Sequence, residues 1–541
     1  MAVPTAPSVR DANQYVPPVI TDLVDLLDRH VRDRPGARAL VVTGDRVYLS
    51  YRALATLADD VAARLGSTGL RRGDAVGLIC ANNAEFVVGL LGAARAGLVV
   101  APIDPTLPES QVSARLEGLG AQAILVGPPA VGLLAVGLPA VGAATVAPPH
   151  VPTWTLRVDL ARAGTPTATL DTGAGVVRHV RGAAPELADR DALVLFTAGT
   201  TDRAKMVPLT HANVAASVRG ICATYELGPD DATVAVMPFF HGHGLLAGLL
   251  ASLASGGCVL VPERGRFSAH TFWDDVRSAG ATWFTAVPTI LEILLERSAL
   301  EYPGPGVAPL RFVRSCSAPL NSATARALER TLGVPLLSAY GMTETSHQAA
   351  SEPLPRHGRP KHESVGRATG VDLRVVDRNG RPCPAGTVGE VWVQGPTVAR
   401  GYLADPAETA HSFADGWFRT GDLGSLDEDG YLFLTGRIKS QINRGGEKIS
   451  PEHVEDILAG FPGVAEAAVF AIPDATYGQR VGAAVVLLSE GESLGPEQIL
   501  EYCRNRLSVF EVPDRLDVVA ALPHTAKGAL DRRAVAAQFA R

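Results

Sequence analysis

The chain is punctuated by short apolar runs that stop in turns of small or polar residues. This alternation restricts the fold more than any other feature. "AVGLIC", "LVVAPID", "ALVLF", "ATVAVMP", "GCVLVP", "ATWFTAVP", "LRFVRSCSA" and "PLLSAYG" each have the length of one strand. Amphipathic stretches such as "LSYRALATLADDVAARLGSTG" and "EFVVGLLGAARAG" separate the early ones at helical period. Strands alternating with helices predict an α/β fold built on parallel sheets, with ligands beyond the carboxyl ends of the strands. The texture changes from about residue 366, where "DLRVVD", "GEVWVQG" and "GYLFLTG" alternate at period two and predict a small β-rich subdomain. After Lys439 comes a self-contained α+β pattern. The expected organisation is an N-terminal domain over residues 1–438 and a small, mobile α+β domain over residues 439–541, with the first 18 or so residues a loose arm.

Composition narrows the function classes. A chain of 541 residues is too long for one core. With 47% hydrophobic and 19% charged residues it is globular, and a net charge of -7 leaves no footprint for nucleic acid. The six cysteines lie far apart without metal spacing, as reduced thiols of a cytoplasmic protein would. No basic segment precedes an apolar core at the N-terminus, so no signal peptide is expected. Residues 122–149 are nearly uncharged, but Pro128, Pro129, Pro139 and a closing Pro-Pro pair break any spanning helix. A buried strand running into a low-complexity loop is expected there, and no membrane partner.

Lysine is scarce: Lys205, Lys361, Lys439, Lys448 and Lys527 are the whole set, in a chain that otherwise uses arginine for positive charge. Lys205 closes "LFTAGTTDRAK", where Thr197, Gly199, Thr200 and Thr201 offer hydroxyls and free N–H groups that could wrap a phosphate chain. A polar strand-end turn explains that stretch equally well, and it is not a Walker A loop. In "YGMTET", Tyr340 offers a flat face for a purine, Thr343 a hydroxyl, and Glu344 a carboxylate for Mg²⁺. Asp422 follows a Thr-Gly turn in "RTGD", Arg437 and Lys439 flank Ile438, and "NRGGEKISP" joins a Gly-Gly turn to a helix start.

These motifs, in this order, resemble the adenylate-forming superfamily of acyl-CoA synthetases, peptide-synthetase adenylation domains and luciferases. The likeness runs from about residue 20 to the C-terminus. Within it, "MPFFHGHGLLAGLL", "GRFSAHTFW", "ATWFTAVPTI", "LRFVRSCSAPL", "MTETSHQ" and "LTGRIKSQINRGGEKISP" resemble the oxalate–CoA ligase-like branch. The resemblance implies two half-reactions. A carboxylate attacks the α-phosphate of ATP, giving an acyl-adenylate and pyrophosphate; a thiol, usually that of coenzyme A, then displaces AMP. By resemblance, Thr197, Gly199, Thr200, Thr201 and Lys205 would cradle the β- and γ-phosphates. Ser317, Ala318, Pro319, Ala339, Tyr340, Gly341 and Met342 would line the nucleotide site, with Tyr340 stacked on adenine. Thr343 would contact the α-phosphate, Glu344 would hold Mg²⁺, and Asp422 and Arg437 would bind the ribose. Lys439 would be the hinge of the C-terminal domain, and Gly445, Gly446 and Lys448 would face the second acceptor. His241, Ser315, Ser317 and His347 would line the pocket of a small polar acid.

Two departures bear on activity. The phosphate loop usually reads S/T-S-G-T-T-G-x-P-K-G; here Ala198, Asp202, Ala204 and Met206 stand at four of its places, and Asp202 adds negative charge beside a phosphate site. Near the C-terminus the family's adenylation lysine falls in P-x-T-x-x-G-K. This chain reads "LPHTAKGALDRR", with Ala529 in that place and Lys527 two positions earlier. In an extended segment residues two apart face the same side, about 7 Å apart. Either Lys527 substitutes for the lysine, or Ala529 replaces it, by natural loss or deliberately. The expected function is ATP-dependent activation of a small polar acid and transfer to coenzyme A. Two alternatives stay open: activation of another small anion such as nitrite for delivery to an aryl amine, and a nucleotide-binding relic without catalysis.

Overall fold

The structure, a computed structural model, describes residues 17–18, 20–42, 47–128, 151–160, 165–173, 177, 187–188, 190–197, 204–304, 310–444, 447–474, 477–488, 495–524 and 530–540. It is an α/β protein with five sheets among those residues. The largest has seven strands. Ala123–Val126, Ala75–Ile79, Val99–Pro102 and Asp191–Thr197 run parallel at its centre, and Lys205–Thr210 closes one edge antiparallel to Asp191–Thr197. A second sheet sets Trp283–Ala286, Phe312–Ser315 and Leu336–Tyr340 parallel, then turns antiparallel through Ala350–Ser351 and Arg367–Ala368. Cys258–Val261 pairs in parallel with Ala232–Val234 and Arg38–Val42 in a four-stranded sheet. The runs named from sequence are these strands.

Helices cover the parallel strands because their apolar stripes need a partner. Tyr51–Gly66 and Ala84–Arg95 pack against the seven-stranded sheet, each started by a side chain that satisfies an orphan N–H: Ser50 for Ala53 and Asn83 for Phe86. His211–Tyr225 begins with a reciprocal box between Thr210 and Asn213. The helices Glu109–Leu119, Ala269–Ala279 and Ser322–Leu332 stop at left-handed Gly120, Gly280 and Gly333.

The expected β-rich segment is an antiparallel five-stranded sheet of Asp372–Val376, Gly389–Gln394, Trp417–Leu426, Phe413–Ala414 and Leu432–Arg437. The residue after the expected boundary, Arg367, still belongs to the second sheet through its pairing with Ser351. After Arg437 the chain makes one turn of 3₁₀ helix, Ile438–Ser440, and enters a last sheet whose long hairpin joins Val464–Asp474 to Gly478–Leu487. Pro451–Ala459 packs on that sheet, with its own buried cluster around Val454, Leu458, Val481 and Ile499. Of residues 122–149, the strand Ala123–Val126 is observed, and residues 129–150 lie outside the described residues. None of the described helices is long and apolar enough to cross a membrane.

Gly366 marks the tightest approach in this core. Its φ is +86°, and a Cβ there would lie 1.8 Å from the carbonyl carbon of Ser351. Gly370 has a φ of +72° but nothing within 4 Å. We expect Gly366→Ala to lower the thermal midpoint by roughly 5 °C or more, since overlap with backbone adds to the left-handed penalty. Gly370→Ala carries only that penalty, about 1 kcal/mol. Thermal denaturation of the two variants side by side checks the contrast.

Candidate active site

The site residues gather where the second sheet ends. Leu336–Tyr340 runs out at Gly341, a 3₁₀ turn follows at Thr343–Thr345, and the chain returns along Ala350–Ser351. The reversal is tight: a Cβ on Gly341 would fall 2.5 Å from the His347 carbonyl carbon and 2.6 Å from the Gln348 nitrogen. Ser346 and His347 take left-handed backbone with φ of 51° and 61°, a conformation of the kind held in place at functional sites.

On one side of this reversal lie the residues expected to hold a nucleotide. The Tyr340 hydroxyl donates to Asp422 Oδ2 at 2.5 Å, and Arg437 Nε pairs with Asp422 Oδ1 at 2.7 Å. Asp422 and Arg437 are direct cross-strand partners, which puts both side chains on one face. Burial pushes the Asp422 carboxyl up, and Arg437 and the Tyr340 hydroxyl offset it. Glu344 is buried and also pushed up by burial; its Oε1 accepts from the Tyr402 hydroxyl at 2.9 Å. The Lys205 ammonium lies 4.5 Å from the centre of the Tyr402 ring and 2.5 Å from Glu408 Oε1. Thr197 and Lys205 face each other across the edge hairpin, so the Thr/Gly loop joins two antiparallel strands. Gly199, Thr200 and Thr201 lie outside the described residues, with Ala198 and Asp202.

On the other side lies a cluster of imidazoles and hydroxyls. His347 packs on Gly242, its ring centre 5.1 Å from that of His243 and 5.6 Å from that of His241. His243 opens a π-helix, His243–Leu250. That wide turn starts where Gly244 meets the Pro238 carbonyl: a Cβ there would sit 2.3 Å from the oxygen. His243 Nε2 is 2.6 Å from Thr285 Oγ1, and Ser317 Oγ is 3.0 Å from His243 Nδ1 and 3.4 Å from His347 Nε2. Ser317 has a φ of +78° and is exposed with Ala318 and Pro319, so the buried cluster reaches the surface at this residue. Behind it, Ser315 Oγ and His347 Nδ1 are buried without a hydrogen-bond partner. Burial above all drives both His243 and His347 well below the ordinary histidine value, helped by the neighbouring imidazoles and by Arg314.

The motifs single out His241, Ser315, Ser317 and His347 but not His243, Thr285 or Arg314, which complete the cluster. Arg314 lies fully buried in the strand Phe312–Ser315, donates from Nη1 to Thr285 Oγ1 at 3.1 Å, and has the Tyr225 hydroxyl and Cys316 thiol as its other electrostatic neighbours. A charged residue inside an apolar strand run was the one signal that could have flagged it. Glu408 and Tyr402 were also missed, since nothing in "GYLADPAET" hints at Lys205 some 200 positions earlier. The remaining expectations fall elsewhere. Lys439 is exposed on the 3₁₀ turn after Arg437, and Lys448 sits in the short strand Glu447–Ile449. Gly445, Gly446, Lys527 and Ala529 lie outside the described residues.

With this geometry in hand, comparison with known proteins is decisive. Residues 27–403 match the AMP-binding enzyme family, and residues 453–529 match the AMP-binding enzyme C-terminal domain. The chain belongs to the AMP-binding enzymes. It is similar to an oxalate–CoA ligase of Arabidopsis thaliana, 40% identical over 96% of this chain and 98% of that protein. A sulfoacetate–CoA ligase of Cupriavidus necator is 34% identical over 90% and 91% of the two chains. The crystal structure of ATP-bound MatB from Rhodopseudomonas palustris superposes with a TM-score of 0.81 and 29% identity, over 96% of this chain and 99% of the other. The resemblance to the adenylate-forming superfamily, near its oxalate–CoA ligase branch, therefore stands. This AMP-binding enzyme is of the acid–thiol ligase type, taking ATP to AMP and pyrophosphate.

The depressed imidazoles make a pH prediction. In the unfolded chain both titrate near 6.5, whereas in the fold they take up a proton only at lower pH. Below that value the unfolded chain binds more protons at these two sites, so their contribution to native stability falls as the pH falls. That fall is opposed between pH 7 and pH 5 by the buried carboxyls of Glu352, Asp275 and Asp456, raised to about 7, 6 and 6. His243→Gln should flatten that fall by up to one proton's worth, about 1.4 kcal/mol per pH unit. Denaturation scans across this window check the slope.

Proposed function

We propose that the enzyme activates a small anionic carboxylic acid as its adenylate and passes the acyl group to coenzyme A. The observation that carries this reading is the Ser317–His243–His347 cluster, which surrounds the exposed hydroxyl with neutral imidazoles and a buried arginine and contains no carboxylate. Such a surface suits a short acid whose polar end is bound by donors. The rings of His243 and His241 lie 5.1 and 5.6 Å from that of His347, so imidazoles and not aliphatic side chains gather beside Ser317. The names of the relatives point the same way: two of them act on oxalate and sulfoacetate.

In this reading ATP lies along the reversal after Tyr340. Lys205 and the hydroxyls and N–H groups of residues 197–201 would meet the β- and γ-phosphates, Thr343 the α-phosphate, and Asp422 and Arg437 the ribose. The first step drives a carboxylate against a phosphate, so fixed positive charge and donors that need no reorganisation lower the barrier. Glu344 accepts from the Tyr402 hydroxyl through Oε1. A lone carboxylate fits Mg²⁺, which takes its other ligands from phosphates and water. Among the described residues no cluster of three His, Cys, Asp or Glu forms a protein-only cage. Glu344 would therefore hold the ion, which neutralises phosphate charge. Lys439 would serve as the hinge between domains 1–438 and 439–541, and Gly445, Gly446 and Lys448 would border the thiol acceptor.

Pyrophosphate release against a panel of short mono- and dicarboxylic acids, with coenzyme A present, tests the reading. Turnover is expected with short anionic acids and not with long acyl chains. Release only with nitrite and an aryl amine, or under no condition, would overturn it. Ser317→Ala should raise the acid KM about ten- to a hundredfold through loss of a hydrogen bond to a charged group. Lys205→Ala should lower kcat by ~10²–10³. Two further substitutions locate the adenylation lysine. Lys527→Ala abolishes pyrophosphate release if Lys527 is the working residue, whereas Ala529→Lys raises it about a hundredfold if that place is vacant.

A further inference from the structure

The buried side of the acid pocket contains a hydrogen-bond chain whose direction is set by its far end. Arg314 can only donate, and its Nη1 reaches Thr285 Oγ1 at 3.1 Å. The hydroxyl of Thr285 must then place its own proton, and the acceptor within reach is His243 Nε2 at 2.6 Å. Were Nε2 protonated instead, two donors would point at one oxygen and the Thr285 proton would be buried without a partner. Nε2 is therefore the bare nitrogen, and the imidazole proton sits on Nδ1, 3.0 Å from Ser317 Oγ. That oxygen accepts, which leaves its proton to be given away. It points either to His347 Nε2 at 3.4 Å, long for a good bond, or to a ligand at the exposed face of Ser317.

We propose that Arg314 is a positioning residue that acts through Thr285 to hold His243 as its Nδ1–H tautomer, so that Ser317 presents its hydroxyl proton to the anionic group of the acid substrate. This rests on the reading that the acid binds at Ser317, but the tautomer is a property of the free enzyme. The chain gives a role to a fully buried guanidinium whose Nε and Nη2 make no hydrogen bond of good geometry and whose other neighbours are the Tyr225 hydroxyl and the Cys316 thiol. A charge in that place is costly unless it organises its surroundings. Here it orders three polar groups in series and adds positive potential behind a site that takes an anion. It also explains the π-turn at His243: a ring placed there reaches strand Trp283–Ala286 with one nitrogen and Ser317 with the other.

The test reads the tautomer directly. The full-length enzyme is labelled with ¹⁵N-histidine, and long-range ¹H–¹⁵N spectra are recorded at neutral pH without substrate. His243 is assigned by its disappearance in His243→Gln. A protonated Nδ1 and a bare Nε2 are expected. Thr285→Val keeps the shape of the side chain and removes the relay. It should shift His243 to the Nε2–H form, or to a mixture, and raise the acid KM about ten- to a hundredfold while the KM for ATP moves less than twofold. Thr285→Ser should restore both readings. Arg314→Met tests the far end of the chain in the same way, and the threonine pair decides the matter if that variant does not fold. A wild-type His243 protonated at Nε2 would overturn the proposal, as would a Thr285→Val enzyme with unchanged tautomer and acid KM. A correct tautomer in an enzyme that activates no small acid would instead count against the substrate reading alone.

Discussion

A chain reversal with no room for a side chain organises this active site. Between Tyr340 and Ala350 the backbone turns back on itself so closely that a Cβ on Gly341 would lie 2.5 Å from the His347 carbonyl carbon. In that short span the chain delivers a phenol to Asp422, a buried carboxylate to Tyr402, and an imidazole to the stack on His243. A second contact of the same kind, between Gly244 and the Pro238 carbonyl, brings the other histidines to meet it. Steric fit between backbones thus fixes the distance between the Tyr340–Asp422 pair and the histidine cluster. Hydrogen bonds then specify each half.

The two halves differ in charge. Around Tyr340 and Tyr402 cations and carboxylates alternate: Lys205 with Glu408, Arg437 with Asp422, and Glu344 close to both. One residue, Tyr402, ties part of this together, its ring under the Lys205 ammonium and its hydroxyl on Glu344. In the histidine cluster Arg314 is the charged group among the described residues, and the imidazoles beside it are held neutral by burial and by that charge. In the proposed reaction, which joins two anions, such a division would give each reactant its own compensation.

Much of this was legible in the chain itself. Strand-length apolar runs and their turns announced parallel sheets, and period-two alternation announced the antiparallel sheet beyond Arg367, because side-chain periodicity is a local property. Tyr340, Glu344, Asp422, Arg437 and Lys205 could be named because each sits in a short motif with distinctive spacing. Arg314 and Thr285 could not, although both lie in segments whose likeness was plain, and His243 stood in a pocket segment without a role. Their importance comes from meeting one another, across 29 residues from Arg314 to Thr285 and 42 from Thr285 to His243. Lys205 shows the same limit from the other side: its scarcity marked it, but its partners Glu408 and Tyr402 lie about 200 residues away.

By itself the sequence determined the succession of strands and helices, the turns that require glycine, and the chemical types available at the ends of the strands. Those follow from backbone sterics and hydrophobic period, which act over a few residues. Only the tertiary structure decided which donor faces which acceptor. A hydroxyl or an imidazole has no intrinsic direction, and its proton goes where the packed neighbours leave an acceptor. In this fold the neighbour that settles the direction is a guanidinium on another strand, buried where no local pattern could assign it a partner.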